Sequence, residues 1–579
     1  MIFRNAFHHW LPGTLATRAS RLAAVLTAVV LVLHAQVFAQ PSAPTERTEW
    51  WREAVFYQVF VRSFADSREG PTANDGKGDL RGLIERLDYL NDGRPETSTD
   101  LGVTAIWLLP IHPSPSYHGY DVTDYRGVNP DYGTMEDFRE LLAECHKRGI
   151  RVIIDLVLNH CSSRHPWFID AQRPGSDKQD WFVWSPTNPG WRGPWNQVVW
   201  HRLRAPSPGG PGPFYYGVFS PSMPDLNYRS EAVSAEMLDV ARFWLEDVRV
   251  DGFRLDAVKF LVENGQRVED QPETHAWLRR FREVCIAAHP GAFTVGEVWS
   301  PTEKVATYVG DQLDACFEFD LASAIISAVN SGRAPGLASA LEKTRRLMRP
   351  SQTATFLTNH DQERAITQMG GDYARARLAA SILLTIPGVP FIYYGEEIGM
   401  VGRKPDERLR TPMQWDAGAN AGFSAPNVRP WQAVNPDWPR VNVAAQQRDS
   451  GSLLNHYRRL IALRLTTPAL TLGDYVPVST GDDRVLAFLR RHFPEDAPAG
   501  ALPQTALVVV NLHPAPLFEV GVTLSTGDDG TRGMIRRARE VLNNTNITQP
   551  PPVGGGGSLT WRPLRRLEPR TAYVILLER

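Results

Sequence analysis

The sequence predicts an α/β fold, a parallel (β/α)8 barrel interrupted after its third strand by an insert and followed by an antiparallel β domain. Three observations carry this. Between Glu53 and about Pro390, eight short apolar runs alternate with stretches of helical period. One connection, from Cys161 to Met223, is far longer than the rest and rich in Pro, Gly and Trp. Beyond Leu472 the pattern changes to short alternating strands separated by polar turns.

The eight runs are AVFYQVFV, VTAIWLL, RVIIDLVL, VDGFRLD, AFTVGEV, ACFEFD, TATFLT and GVPFIYY. Strands apolar on both faces and separated by helices such as Met135–Arg148 and Ala232–Glu246 belong to a parallel sheet covered on both sides. Eight of them close a barrel, and no glycine-rich phosphate loop follows the first, as an open dinucleotide-binding sheet would require. The long connection (SPTNPGWRGPWNQ, PSPGGPGPFYYG) would stand over the C-terminal mouth of the barrel, where active sites are built. In the last segment, RVLAFLRR, TALVVVNLH and AYVILLE are strands, and VGGGGS is a loop between them. The expected divisions are 1–39, a signal peptide; 40–160 with 226–468, the barrel; 161–225, the insert; and 469–579, a β-sandwich.

The 579 residues carry 62 basic and 64 acidic side chains, a formal charge of −2, which leaves no field for nucleic acid or an anionic membrane. Arg18 and Arg21 precede an apolar run from Leu22 to Leu33. Val37 and Ala39 then stand where a signal peptidase requires small residues. The mature protein is therefore expected to be exported, periplasmic or extracellular, with no membrane segment after cleavage, and monomeric. The four cysteines (Cys145, Cys161, Cys285, Cys316) lack metal-ligand spacing and are read as buried thiols.

Chemistry is sought at the C-terminal ends of the strands. DLVLNH ends in Asp155, Asn159 and His160, and VDGFRLDAVKF supplies Arg254, Asp256 and Lys259. TVGEVW supplies Glu297, and FLTNHD supplies Asn359, His360 and Asp361. Side chains two apart on a strand share a face, so Arg254 lies beside Asp256. Asp256, Glu297 and Asp361 thus finish three strands of one barrel and should converge. Two carboxylates about 5 Å apart, held in opposite protonation states, are the requirement for retaining glycoside hydrolysis. Asp256 next to a guanidinium suits the ionised nucleophile, and Glu297 between Gly296, Val298 and Trp299 suits the protonated acid. Asp361 would stabilise a cationic transition state, His160 and His360 would bond sugar hydroxyls, and Tyr120 would offer a ring.

These segments, in this order, resemble the signature regions of the α-amylase superfamily, glycoside hydrolase family 13. MPDLN, GVTAIWLLP and GVPFIYYGEEIGM resemble its secondary regions. The resemblance implies Asp256 as nucleophile, Glu297 as proton donor and Asp361 as transition-state stabiliser. It implies Tyr120, His160, Arg254 and His360 around the sugar at the cleavage point, and Lys259 on the leaving-group side. The insert is similar to the family's domain B and the tail to its domain C. NDGKGD resembles the structural calcium loop of oligo-1,6-glucosidase-like members, implying ligands among Asp66, Asn74, Asp75, Lys77 and Asp79.

The specificity signals diverge. Tyr117 replaces the Asp with which relatives that trim single glucose units block a chain end, and Ala257 resembles α-1,4-acting members. MPDLN, RTPMQWD and the opening WWREAVFYQVFVRSFADS look like the group intermediate between oligo-1,6-glucosidases and neopullulanases. PETHAWL is shared with trehalose-synthase-like isomerases. The expected activity is cleavage of α-1,4 bonds in starch, glycogen or maltooligosaccharides. An α-glucosidase or a transglycosylating relative is the alternative.

Overall fold

The computed structural model describes residues 49–203, 212–494, 503–525, 537–549 and 558–578. The signal-peptide and VGGGGS readings fall almost wholly outside them.

Eight parallel strands close a barrel: β1 (Phe56–Val59), β2 (Ala105–Leu108), β3 (Arg151–Leu156), β4 (Gly252–Leu255), β5 (Phe293–Gly296), β6 (Ala315–Phe317), β7 (Thr353–Thr355) and β8 (Val389–Tyr393). Each lies in one of the eight apolar runs. Helices on the outside cover them, among them α1 (Met135–Lys147), α2 (Glu231–Arg242), α3 (Pro272–Ala288) and α4 (Tyr373–Thr385). Local chemistry sets their ends. Thr134 and Asp137 form a reciprocal capping box at the start of α1, and Asp372 accepts two backbone N–H groups at the start of α4.

The period-2 alternation of the strands decides what fills the barrel. One set of alternate residues, Phe56, Ala105, Ile153, Phe293, Val295, Phe317 and Phe391, packs inside as an aromatic plug. Phe56 stacks on Phe391 with centroids 4.3 Å apart. Two residues further along the same strands, the inward positions are Gln58, Trp107, Asp155 and Arg254. Register places Gln58 opposite Trp107 and Asp155 opposite Arg254, so the top interior layer is polar. Gly252 at the base of β4 has a backbone reason. Its φ is +151°, and a Cβ there would lie 1.9 Å from the Phe293 carbonyl oxygen.

The insert folds as a small antiparallel sheet of Trp184–Ser185, Trp200–Arg202 and Phe214–Tyr216, pinned to the barrel through the His160–Asp225 bridge. The C-terminal segment forms an antiparallel sheet containing β9 (Val485–His492), β10 (Gln504–Asn511) and β11 (Thr571–Glu578). Leu486, Phe488, Val508 and Val510 join the barrel's hydrophobic core, while Val485, Ala487, Leu507 and Val509 pack on the domain's second layer. Burial on both faces explains why these antiparallel strands read as continuous apolar runs. The four cysteines are buried thiols.

Candidate active site

The top interior layer is organised around Arg254, which is 1% exposed. Its Nη1 donates to both oxygens of Asp155 (2.9 Å each), to Asp256 Oδ1 (2.8 Å) and to Tyr120 Oη (3.2 Å). Its Nη2 donates to Glu297 Oε2. The guanidinium lies over the Trp107 ring at 5.1 Å, and Trp107 Nε1 donates to Asp155 Oδ2 (3.3 Å). One cation therefore spans three carboxylates from three successive strands. After Asp256 the chain turns sharply out of β4, with Ala257 in the left-handed region at φ +48°.

These charges are unequally settled. Burial pushes the Glu297 carboxyl up to about 8, with Asp256 and Asp361 adding to it and Arg254 failing to offset them. With Oε2 accepting from Arg254, Oε1 is left to carry the proton. Asp155 is likewise raised to about 7, burial outweighing Arg254. Asp361 lies below the usual carboxylate value. Burial would raise it, but the charges of Arg410 and Arg254 outweigh that. Arg410 Nη2 donates to Asp361 Oδ1 at 2.7 Å, and its Nε to the His360 carbonyl at 3.0 Å.

Both histidines are neutral because they are buried, His160 at about 4 and His360 well below the ordinary imidazole value. Gln58 Nε2 lies 2.8 Å from His360 Nδ1, so that Nε2 carries the hydrogen, facing Tyr120 Oη at 2.6 Å and Asp361 Oδ2 at 3.1 Å. Asn159 Nδ2 lies 3.4 Å from His160 Nδ1, while His160 Nε2 is buried with no protein partner.

Above this layer opens a cleft of about 540 Å³. Asp256, Glu297, Asp361, Tyr120, His160 and Lys259 line it, as the sequence leads one to expect. Arg254 and His360 do not. They sit behind the wall and act on it through Asp256, Glu297, Tyr120 and Asp361. Lys259 is 8% exposed, and its three N–H groups face Trp299 O (2.9 Å), Ser300 Oγ (3.3 Å) and Glu269 Oε2 (3.2 Å). Its ammonium holds the segment after Glu297 in place.

The residues matching the model "Alpha amylase, catalytic domain" run from 58 to 473, which takes in the whole cleft. The chain belongs to the α-amylase family. It is 40% identical to Alpha-amylase 3 of Dictyoglomus thermophilum over 444 residues, 76% of this chain and 82% of that one. It is 36% identical to a trehalose synthase/amylase of Mycolicibacterium smegmatis over 525 residues, 82% of this chain and 86% of that one. Among solved structures, the α-amylase from H. orenii superposes with a TM-score of 0.75 at 38% identity, covering 91% of this chain and 99% of that one.

In this α-amylase family member the loop read as a calcium site is closed by its own hydrogen bonds. Asp66, whose carboxyl burial raises to about 6, accepts the Asn74 and Gly76 N–H groups at 2.8 and 3.0 Å. Asp79 caps a helix through Gly82 N (2.7 Å) and takes the Ser67 hydroxyl (2.8 Å). Asp75 accepts the Lys77 N–H, and the Lys77 ammonium reaches Asp131 at 2.6 Å. Among the described residues, no cluster of three or more carboxylate, His or Cys side chains could hold a metal. No chemistry is routed through a metal.

Sequence reasoning left Asp155 without a role and passed over Gln58, Arg410 and His118, which lines the cleft. Asp155 stands one strand from Arg254, and only the register reveals that they are paired. Arg410 lies in RTPMQWD, a segment with no strand period, so nothing local points it at the cleft.

Proposed function

We propose that the protein cleaves α-1,4-glucosidic bonds within α-glucan chains by a retaining double displacement. The observation that carries this is the set of three strand-end carboxylates lining one cleft, two of them joined through Arg254, with Glu297 protonated at neutral pH and Asp361 ionised.

Asp256, held by Arg254 through Oδ1, attacks the anomeric carbon with Oδ2. Glu297 gives its proton to the departing glycosidic oxygen, and the sugar is left covalently attached to Asp256. Glu297, now a carboxylate, takes a proton from water as the water displaces Asp256. Asp361, locked by Arg410, faces the positive charge that develops on the ring in both steps. Tyr120 and the Nε2–H of His160 bind the sugar that reacts. The open cleft, lined by Tyr117 stacked on Trp431 (5.4 Å), favours internal cleavage over removal of single units.

A second reading, interconversion of maltose and trehalose, draws on the similarity to the trehalose synthase/amylase of M. smegmatis. Product analysis on amylose, maltotriose, isomaltose and maltose separates the two. The proposal expects mixed short maltooligosaccharides from amylose and little action on isomaltose. Glucose alone in the first minutes would contradict internal cleavage, and trehalose from maltose would support the isomerase.

A further inference from the structure

Arg410 holds Asp361, yet it lies in a stretch that is neither helix nor strand. Its own backbone is what is fixed. The carbonyls of Leu409, Arg410 and Thr411 are each taken by a buried side chain from elsewhere in the barrel mouth. Leu409 O accepts from Arg364 Nε (3.0 Å) and from Tyr393 Oη (3.1 Å). Arg410 O accepts from Ser63 Oγ, and Thr411 O from Tyr394 Oη (2.8 Å). Ser63 follows β1, the two tyrosines stand at the end of β8, and Arg364 comes three residues after Asp361.

Arg364 is the centre of this clamp. It is 1% exposed, and its guanidinium lies over the rings of Tyr393 and Tyr394 at 4.4 and 4.8 Å. Nη1 donates to the Tyr394 carbonyl (2.7 Å), and its backbone N–H donates to Gly402 O (3.1 Å). Two glycines leave it room. A Cβ on Gly395 would come within 3.3 Å of Nη1, and one on Gly402 within 3.2 Å of Cδ. The acceptors of its side chain are backbone carbonyls and not carboxylates. Used in this way, a planar guanidinium fixes the relative position of two chain segments instead of neutralising an acid.

We infer that Arg364 is a positioning residue for the reaction: by fixing the Leu409 carbonyl it keeps the Arg410 guanidinium on Asp361, and so aims that carboxylate at the charge of the transition state. This inference rests on the hydrolase reading above. The contacts form a closed loop. Arg364 holds Leu409, the next residue Arg410 reaches Asp361 Oδ1 (2.7 Å) and the His360 carbonyl (3.0 Å), and the chain returns from Asp361 to Arg364. Loss of the Arg364 donors opens that loop at the one point where no regular element can close it.

The test uses Arg364→Met, which keeps an unbranched side chain without its donors, and Tyr394→Phe, which frees only the Thr411 carbonyl. The readouts are kcat and KM for maltopentaose and the inhibition constant of 4-O-α-glucosyl-1-deoxynojirimycin, whose protonated ring nitrogen carries the charge that Asp361 should face. In Arg364→Met, kcat falls about 30-fold with KM changed less than about threefold, and the inhibition constant rises about tenfold. Arg364→Lys, with one donor group in place of the fork, recovers part of both. Tyr394→Phe moves both the same way, by about threefold. A side chain needed only for folding would lower the melting temperature and leave the inhibition constant of the folded enzyme where it was. An inhibition constant unchanged in Arg364→Lys and Tyr394→Phe would overturn the positioning role and leave the hydrolase reading intact. Wild-type enzyme inert on maltopentaose and indifferent to the imino sugar would overturn both together.

Discussion

The two ends of the barrel both bury carboxylates, and they treat them in opposite ways. At the base, Asp251 accepts the Val152 N–H (2.8 Å) and His146 Nε2 (2.7 Å) on one oxygen and Arg151 Nη1 (2.9 Å) on the other. Burial would raise its pKa, but these partners hold it below the usual carboxylate value. Asp314 at the base of β6 is built alike, accepting the Thr294 N–H (2.9 Å) and hydroxyl (3.0 Å) as well as Arg282. At the top, Asp155, Asp256 and Glu297 share the single cation Arg254. There Glu297 is driven to about 8 and Asp155 to about 7. A carboxylate with its own set of donors ties strands together. Where carboxylates compete for one guanidinium, burial wins and raises Glu297 and Asp155, which leaves Glu297 able to carry a proton at neutral pH as an acid must. Burial acts on the acids at both ends; the difference between Asp251 and Glu297 lies in the supply of partners.

The contrast can be broken most severely at the top. Asp256→Asn is expected to lower kcat on maltooligosaccharides by about 10⁴-fold, since the nucleophile is lost outright. Its melting temperature should not fall, because one of the competing charges has gone. Lower stability with substantial activity would place Asp256 with the structural acids.

Removing the shared cation is the next test. Arg254→Met should cost about 10³-fold in kcat, and the basic limb of the remaining activity should move to higher pH. The sign follows from Arg254 pulling the Glu297 pKa down in the wild type. A limb that stayed in place would show that Glu297 is not the group being titrated.

In the wild-type enzyme the acid must be protonated. Activity should therefore be retained through neutral pH and fall about tenfold per unit as pH rises past about 8. A pH–rate profile of kcat on maltopentaose reads this directly.

At the base the expected effect reverses. Asp251→Ala should cost about 2 kcal/mol of stability by leaving the Val152 N–H and Arg151 without their acceptor. The kcat of the folded enzyme should change less than about twofold. Because the folded pKa of Asp251 is depressed, its contribution is full above the ordinary carboxylate pKa and is lost as pH falls through the folded value. The melting-temperature gap between variant and wild type should accordingly close in acid.

Much of this architecture could be read in the residues. The eight apolar runs and their alternation with helices marked the barrel, and strand-end positions pointed to Asp256, Glu297 and Asp361. What escaped were relations between strands. Pairing of Asp155 with Arg254 depends on register, and the retreat of His360 behind Tyr120 depends on which inward layer it occupies. The acidic loop is a different case. Its residue types suit calcium, and in three dimensions Asp66 also takes the Asn74 and Gly76 N–H groups while the Lys77 ammonium reaches out to Asp131.

The central claim, that the crowded carboxylates at the top do the chemistry with Asp256 as nucleophile, is tested most directly in Glu297→Gln given α-maltosyl fluoride. Fluoride departs without an acid, and the variant lacks the base that would activate water. Intact-mass and peptide analysis should show one maltosyl unit per molecule, on the peptide bearing Asp256. A label on any other residue, or fluoride release with no adduct and inverted product, would contradict it.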